Sequence, residues 1–174
     1  MNKYYCGVGS RKTPSNILSD MEEIAYWLAR KDWTLRSGRA VGADTSFEKG
    51  CDRVNGKKEI FIANDALNDT KAMEIAKSLH PAWYKCSPYA KLLHTRNVYQ
   101  ILGRDLKTPV KCVICWTPDG CTCHKDKTIE TGGTGMAISV ANTHSIPVYN
   151  LQRKDHYKQV MDVINELFLN CYWI

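Results

Sequence analysis

The stretch Cys112-Val113-Ile114-Cys115-Trp116, inside the segment 110–116, is an unbroken run of apolar residues. Its length and composition are typical of a β-strand that is buried on both faces, as central strands of parallel sheets are. The run is far shorter than the roughly 20 residues that a membrane-spanning helix needs. It therefore predicts a central strand of a parallel sheet, and the chain is expected to have no membrane partner.

Strand-like and helix-like segments alternate on both sides of this run. Thr13 followed by Pro14 indicates the start of the first helix, with a capping hydroxyl and a proline at the first helical position. The alternation predicts an α/β fold with a doubly wound, mainly parallel sheet and helices on both faces. The predicted strands cover 3–8, 33–37, 58–63, 110–116 and 146–149, and the predicted helices cover about 13–30, 43–51, 66–79, 89–103, 135–142 and 155–170.

Length and composition limit the class of protein. The 174 residues suffice for one domain over 1–174, which the helix at about 155–170 closes. Apolar residues make up 44% and charged residues 24%, which excludes a disordered chain or a collagen. The first ten residues lack the apolar segment of a secretory signal, so we expect a cytoplasmic location.

The net charge favours anionic partners without choosing among them. The chain carries 24 Lys and Arg against 18 Asp and Glu, a formal charge of +6. Such an excess fits nucleotides, phosphosugars or nucleic acid. Five tryptophans and nine tyrosines offer surfaces for stacking bases, although aromatic residues spread over core elements are more often packing residues.

Three glycine-containing loops follow predicted strands, where parallel sheets bind ligands. Gly7-Val8-Gly9-Ser10-Arg11 lets the backbone approach a phosphate, or is an ordinary turn with a solvated arginine. Ser37-Gly38-Arg39-Ala40-Val41-Gly42-Ala43-Asp44 places a carboxylate at a helix start, where Asp44 either caps the helix or holds ribose hydroxyls. Thr131-Gly132-Gly133-Thr134-Gly135 precedes a helix and exposes consecutive amides to an anion, or is a mobile loop.

One helix adds candidate residues. In Leu93-His94-Thr95-Arg96-Asn97, His94 and Arg96 are two apart and point about 200° apart, so we expect only one of them to face a given spot. A lone helical arginine is more often a surface residue, and only a family context makes Arg96 a candidate.

These motifs resemble those of two known families. Ser37-Gly38-x-Ala40-x-Gly42-x-Asp44 resembles the SGxAxGxD motif of the Rossmann-like domain of the DNA-processing protein A (DprA/Smf) family. Leu93-His94-x-Arg96-Asn97, a strand and then Gly132-Gly133-x-Gly135 resemble the MHxRK and PGGxGT order of the LONELY GUY phosphoribohydrolases. Both belong to the SLOG superfamily, and the likeness covers roughly 3–151. It implies a Rossmann-like domain that binds nucleotides or nucleotide-derived molecules, and a homodimer.

One departure from the resemblance bears on activity. The glycine motif of the phosphoribohydrolases continues to a catalytic Glu, and Ser139 stands at that position here. Cleavage of an N-glycosidic bond needs a carboxylate, which serine cannot replace. Arg96, which matches the family's catalytic arginine, would then grip phosphate. The nearby Glu130 leaves open a relocated carboxylate and hence a nucleoside-monophosphate phosphoribohydrolase.

The resulting expectation is a non-catalytic binder of a nucleotide or nucleotide-derived signal, with no catalytic residue, cofactor or metal. A compact SLOG protein of this kind looks like those that phages encode, which implies sequestration of a defence second messenger in the host cytoplasm. A single-stranded DNA binder is a further alternative. The expected ligand-binding residues are Gly9, Ser10, Arg11, Ser37, Gly38, Arg39, Gly42, Asp44, Arg96, Asn97, Thr131, Gly132, Gly133, Thr134 and Gly135.

Cysteines are frequent, with eight in the chain. Cys6, Cys51, Cys86 and Cys171 are isolated and are predicted to be small buried apolar residues. Cys112 and Cys115 lie three apart on a predicted strand, so their side chains leave opposite faces and cannot form a zinc knuckle. Free thiols are the preferred interpretation of the rest, and zinc at the following residues is the alternative: Cys115, Cys121, Cys123 and His124.

Overall fold

A computed structural model describes residues 3–169, and the predicted alternation of strands and helices is confirmed in this range. The strands are β1 (Tyr4–Gly7), β2 (Thr34–Ser37), β3 (Lys58–Ile60), β4 (Cys112–Cys115) and β5 (Val148–Asn150). The α-helices are α1 (Ser15–Arg30), α2 (Ala43–Asp52), α3 (Thr70–Leu79), α4 (Pro88–Leu102), α5 (Thr134–Thr143) and α6 (Lys154–Leu169). The predictions for Asn170, Cys171 and Trp173 lie outside the described residues.

The five strands form one parallel sheet in the order β3-β2-β1-β4-β5. The strand order reverses between β1 and β4, where Cys6 pairs with Val113. This is the topology of a Rossmann-like, doubly wound fold, as predicted, and ligands bind such folds where the order reverses. None of the described helices has the length and apolar character needed to cross a membrane.

The sheet separates two apolar cores, each covered by three helices. Met21 of α1 and Phe47 of α2 are buried on one face, together with Ile164 of α6. Residues of α4 and α5, such as Val98 and Ile138, fill the other face. Cys112 packs against the first core and Cys115 lies in the second, so the two thiols leave β4 on opposite faces as predicted.

Two helix starts differ from the prediction. Pro14 itself is the capping residue of α1, and the hydroxyl of Thr13 donates to the carbonyl of Ser10 at 2.6 Å instead of capping the helix. Helix α3 begins at Thr70 because the carboxylate of Asp69 accepts from the backbone N–H of Ala72 at 3.0 Å. Both differences arise from side-chain hydrogen bonds that helical spacing does not encode.

Candidate functional site

A cavity of about 890 Å³ opens at the carboxyl edge of the sheet, beside the ends of β1 and β4. Its volume lies within the range of small-molecule sites, about 300–1,000 Å³. Five parts of the chain line it: the β1–α1 loop, Ala40 and Asp44 at the approach to α2, His80 and Pro81 after α3, one side of α4, and the segment 127–137 that leads into α5. The loops that the sequence singles out therefore meet at one place, together with α4.

Most of the expected ligand-binding residues line this cavity, and four do not. Ser37 and Gly38 lie beneath it, and the hydroxyl of Ser37 donates to the carbonyl of Gly7 at 2.6 Å. Arg39 pairs with Glu48 at 3.2 Å, and Gly42 is also outside the lining. The expected residues in the lining are Gly9, Ser10, Arg11, Asp44, Arg96, Asn97, Thr131, Gly132, Gly133, Thr134 and Gly135.

Residues 37–44, which we name the Gly38 turn, form a closed structure around Asp44. The Asp44 carboxylate accepts from the backbone N–H of Gly38 at 3.1 Å and of Ala40 at 3.4 Å. Gly42 has a φ of +104°, a conformation that strongly favours glycine. The amides of Gly38 and Ala40 are thus engaged within the turn itself, and Asp44 is only 3% exposed.

Arg96 crosses from α4 to the Gly38 turn. Its Nη1 lies 3.8 Å from the Asp44 carboxylate, and a Cβ on Gly38 would lie 1.3 Å from the same nitrogen. The side-chain amide of Gln100 takes the orientation that satisfies its hydrogen bonds to Asn97 and Gly38. In this orientation its oxygen accepts from Nη1 of Arg96 at 2.6 Å. The Nε of Arg96 is buried and has no hydrogen-bond partner among residues 3–169. Gly38 therefore makes room for a guanidinium that keeps one unused donor.

Burial dominates the electrostatics of this pair. It raises the pKa of Asp44 to about 6, although Arg96 and the amides of the turn oppose the shift. Burial also lowers the pKa of Arg96, against the attraction of Asp44. A buried carboxylate next to a buried guanidinium needs all of these contacts to remain charged. The pair is therefore a fixed part of the cavity floor.

The β1–α1 loop packs tightly against the end of β4. The backbone N–H of Ser10 donates to the carbonyl of Trp116 at 3.0 Å. A Cβ on Gly9 would lie 2.7 Å from the Cβ of Ala43, which explains the need for glycine here by packing. Arg11 is exposed at the cavity edge, so it is the member of this loop that can reach a bound anion.

Residues 131–135, which we name the Gly132 loop, offer unpaired amides. The backbone N–H groups of Gly132, Gly133 and Thr134 make no hydrogen bond with any residue in 3–169. Gly132 has a φ of +59°, and a Cβ on Gly133 would meet no atom within 4 Å. Asn97 holds the loop in place, because its side-chain amide donates to the carbonyl of Gly133 at 3.1 Å. The loop thus presents three donors at the start of α5.

Asp119 is a positioning residue that the sequence motifs do not indicate. Its carboxylate accepts from the hydroxyls of Thr131 and Thr128, the latter at 2.6 Å. Burial alone would raise its pKa, but these hydrogen bonds lower the pKa of Asp119 to about 2. The available signal is the dipeptide Asp119-Gly120, which is typical of a turn.

The cavity lining is more cationic than anionic. Glu130 lies at its edge and pairs with Lys12 at 2.9 Å, with both side chains largely exposed. Lys127 is half-buried and its pKa is lowered by burial. The cationic lining residues are Arg11, Lys12, Arg96 and Lys127, and the carboxylates are Asp44 and Glu130.

Ser139 and the large aromatic side chains of residues 3–169 lie away from the cavity. Ser139 is fully buried, donates to the carbonyl of Gly135 at 2.8 Å, and lies 2.7 Å from Nδ1 of His124. Within residues 3–169, no tryptophan, tyrosine or phenylalanine lines the cavity. The lining is instead aliphatic where it is apolar, with Leu93, Ile129 and Met136 as examples.

The histidines and cysteines that lie close together are not those of the alternative zinc site at Cys121, Cys123 and His124. The thiol of Cys121 donates to the carbonyl of Cys123, and His124 contacts Ser139. Among the described residues, the only group close enough to share a metal ion is His80, Cys86 and His94. Cys86 is half-exposed beside the two imidazoles, so the prediction that it is a buried apolar residue is wrong, whereas Cys6 and Cys51 are buried as predicted. The expectation that only one of His94 and Arg96 faces the site is also wrong: both line the cavity, because it extends from His80, against which the His94 ring lies, to Asp44, which Arg96 approaches.

Comparison of the chain with protein-family models, curated proteins and solved structures finds no match, so the observations that bear on its function are those of its own sequence and fold.

Proposed function

We propose that the chain binds a nucleotide or a nucleotide-derived signalling molecule in this cavity and does not cleave it. The observation that carries the proposal is the set of unpaired N–H groups on Gly132, Gly133 and Thr134. Consecutive free amides at a helix N-terminus form a favourable site for phosphate. The free Nε of Arg96 and the exposed Arg11 add positive charge to the same cavity.

The remaining features of the cavity fit the rest of such a ligand. Its volume of about 890 Å³ exceeds what a phosphate alone requires. Aliphatic side chains in the lining offer an apolar surface for a base, and Asp44, the carboxylate of the SGxAxGxD motif, also lines the cavity. The resemblance to SLOG proteins supports the same ligand class. The proposal includes sequestration of a defence signal, which would require tight binding and no cleavage.

Isothermal titration calorimetry with AMP, ADP, ADP-ribose and cyclic dinucleotides tests this function. We expect at least one of them to bind with a Kd below about 1 mM. Gly133→Leu should weaken that binding at least about tenfold. The leucine side chain would occupy the open space beside the free amides, where the proposal places the phosphate. Gly133→Ala is the matched control, since it adds one methyl group where no atom lies within 4 Å. Absence of binding across the panel, or equal binding to the Leu variant, would contradict the proposal.

One observation favours a second candidate, a nucleoside-monophosphate phosphoribohydrolase. Glu130 lines the cavity next to the Gly132 loop, and Lys12 holds its carboxylate at 2.9 Å. A carboxylate in that place is what oxocarbenium chemistry requires. Incubation with AMP followed by chromatography separates the candidates. Release of free adenine that Glu130→Gln abolishes would favour the hydrolase, and unchanged AMP would favour the binder.

A further inference from the structure

Two histidines and a cysteine meet beside the cavity. His80 follows α3, Cys86 follows a short 3₁₀ helix (Trp83–Lys85), and His94 lies on α4. One donor atom from each side chain lies within 4.8 Å of the other two. His80 and His94 also belong to the cavity lining. The three residues come from separate elements, so the fold itself brings them together.

The distance between two of the donors matches a tetrahedral metal site. The Nε2 of His80 lies 3.6 Å from the Sγ of Cys86. Zinc bonds of about 2.3 Å to sulfur and about 2.05 Å to nitrogen, at tetrahedral angles, place the two donors about 3.6 Å apart. A thiol–imidazole hydrogen bond explains the same distance, but it accounts for only two of the three side chains.

His94 supplies the second observation. Its Nδ1 is buried and makes no hydrogen bond with any residue in 3–169, while its ring centroid lies 4.5 Å from that of His80. A buried nitrogen without a partner destabilises a fold, so each one needs an explanation. A metal ion held by the cluster is one partner that such an imidazole nitrogen can take.

We propose that His80, Cys86 and His94 bind one zinc ion. Imidazole and thiolate donors select zinc and similar transition metals over Mg²⁺ or Ca²⁺, which prefer oxygen. Three protein ligands leave a fourth position for water or for an oxygen atom of a molecule in the cavity.

Two local features oppose metal binding. The backbone N–H of Ala82 donates to Nδ1 of His80 at 3.1 Å, and coordination through either ring nitrogen gives up this bond. A single hydrogen bond contributes far less free energy than zinc coordination does in structural sites. The positive charge of Lys127 lies near both imidazoles. The thiolate of Cys86 offsets one of the two charges of the metal.

Titration of the reduced, chelator-treated full chain with Co²⁺, and then with Zn²⁺, tests the proposal. We expect one Co²⁺ per chain, a thiolate-to-cobalt charge-transfer band, and loss of that band when zinc is added. Cys86→Ser should abolish the band and weaken zinc binding by roughly 100-fold or more. His94→Ala should weaken zinc binding strongly as well.

Cys123→Ser is the matched control, because Cys123 is a half-exposed cysteine outside the cluster. It should keep both the band and the affinity, and far-ultraviolet circular dichroism should show that all variants fold. A wild-type chain that binds no metal tighter than about 10 μM overturns the proposal. A band that Cys123→Ser removes and Cys86→Ser retains also overturns it. These readouts are independent of nucleotide binding.

Discussion

The Gly38 turn and the Gly132 loop have the same kind of sequence and opposite hydrogen-bonding states. Each leads into a helix and is rich in glycine and small residues. In the Gly38 turn, the amides of Gly38 and Ala40 bind the buried carboxylate of Asp44. In the Gly132 loop, the amides of Gly132 and Gly133 bind no residue in 3–169.

Two different physical demands for glycine explain this contrast. Gly38 is glycine because Arg96 occupies the space of its Cβ, and the result is a rigid floor. A Cβ on Gly133 would meet no atom within 4 Å, so the protein itself has room for a side chain at this position. Open space beside free amides is what the proposed phosphate site requires.

The largest expected effect is on stability, when each glycine is replaced by alanine. Gly38→Ala displaces the Arg96 guanidinium and leaves Asp44 without its cation, so we expect a loss of about 4 kcal/mol in the free energy of unfolding. The melting temperature should fall by roughly 10 °C. Gly133→Ala should change the free energy of unfolding by less than about 0.5 kcal/mol. Urea denaturation of both variants measures the difference, and equal losses would contradict the contrast.

The anchoring carboxylates of the two regions should respond to pH in opposite directions, and Asp44 should give the larger response. Burial raises its pKa in the folded protein to about 6, above the unfolded value of about 3.9. The folded state then binds the proton more tightly, so this residue adds stability as the pH falls from about 7 to 4, by about 3 kcal/mol at most. The difference in unfolding free energy between the wild type and Asp44→Asn should shift in favour of the wild type over this range. A difference that is constant with pH would refute this.

Asp119, which holds the Gly132 loop, should show the opposite sign. Hydrogen bonds from Thr128 and Thr131 outweigh burial and lower its folded pKa to about 2. Its contribution is therefore complete above the unfolded pKa of about 3.9 and is lost as the pH falls through about 2. Asp119→Asn should destabilise the protein near pH 6 more than at pH 2, by a small amount because the residue is exposed. Hydrogen exchange at the loop amides should speed up in this variant near pH 6, and unchanged exchange would show that Asp119 does not hold the loop.

The sequence predicts the elements and the edge of the sheet well, because hydrophobic periodicity and glycine placement are local. Which atom pairs with which is not local. Arg39 carries the same charge as Arg11, but Arg39 donates a hydrogen bond to Glu48, which lies nine residues later in the chain. His80, Cys86 and His94 have no recognisable metal-ligand spacing, since the turn around Trp83 brings them together. The cluster at Cys121 has such spacing, but its donors bond to nearby backbone and side-chain groups instead.

The smallest expected effect separates two arginines that the motifs treat alike. Arg11 is exposed at the cavity edge, whereas Arg39 lies outside the lining and pairs with Glu48 at 3.2 Å. Because an arginine near phosphate strengthens its binding, Arg11→Ala should weaken nucleotide binding about three- to tenfold at low salt. Screening should reduce that difference as salt increases. Arg39→Ala should leave the Kd within about twofold of wild type, because its charge is already engaged by a carboxylate. Calorimetry at two salt concentrations measures both, and an effect of Arg39→Ala as large as that of Arg11→Ala would mean that the ligand reaches across the Gly38 turn and that the turn is more than a floor.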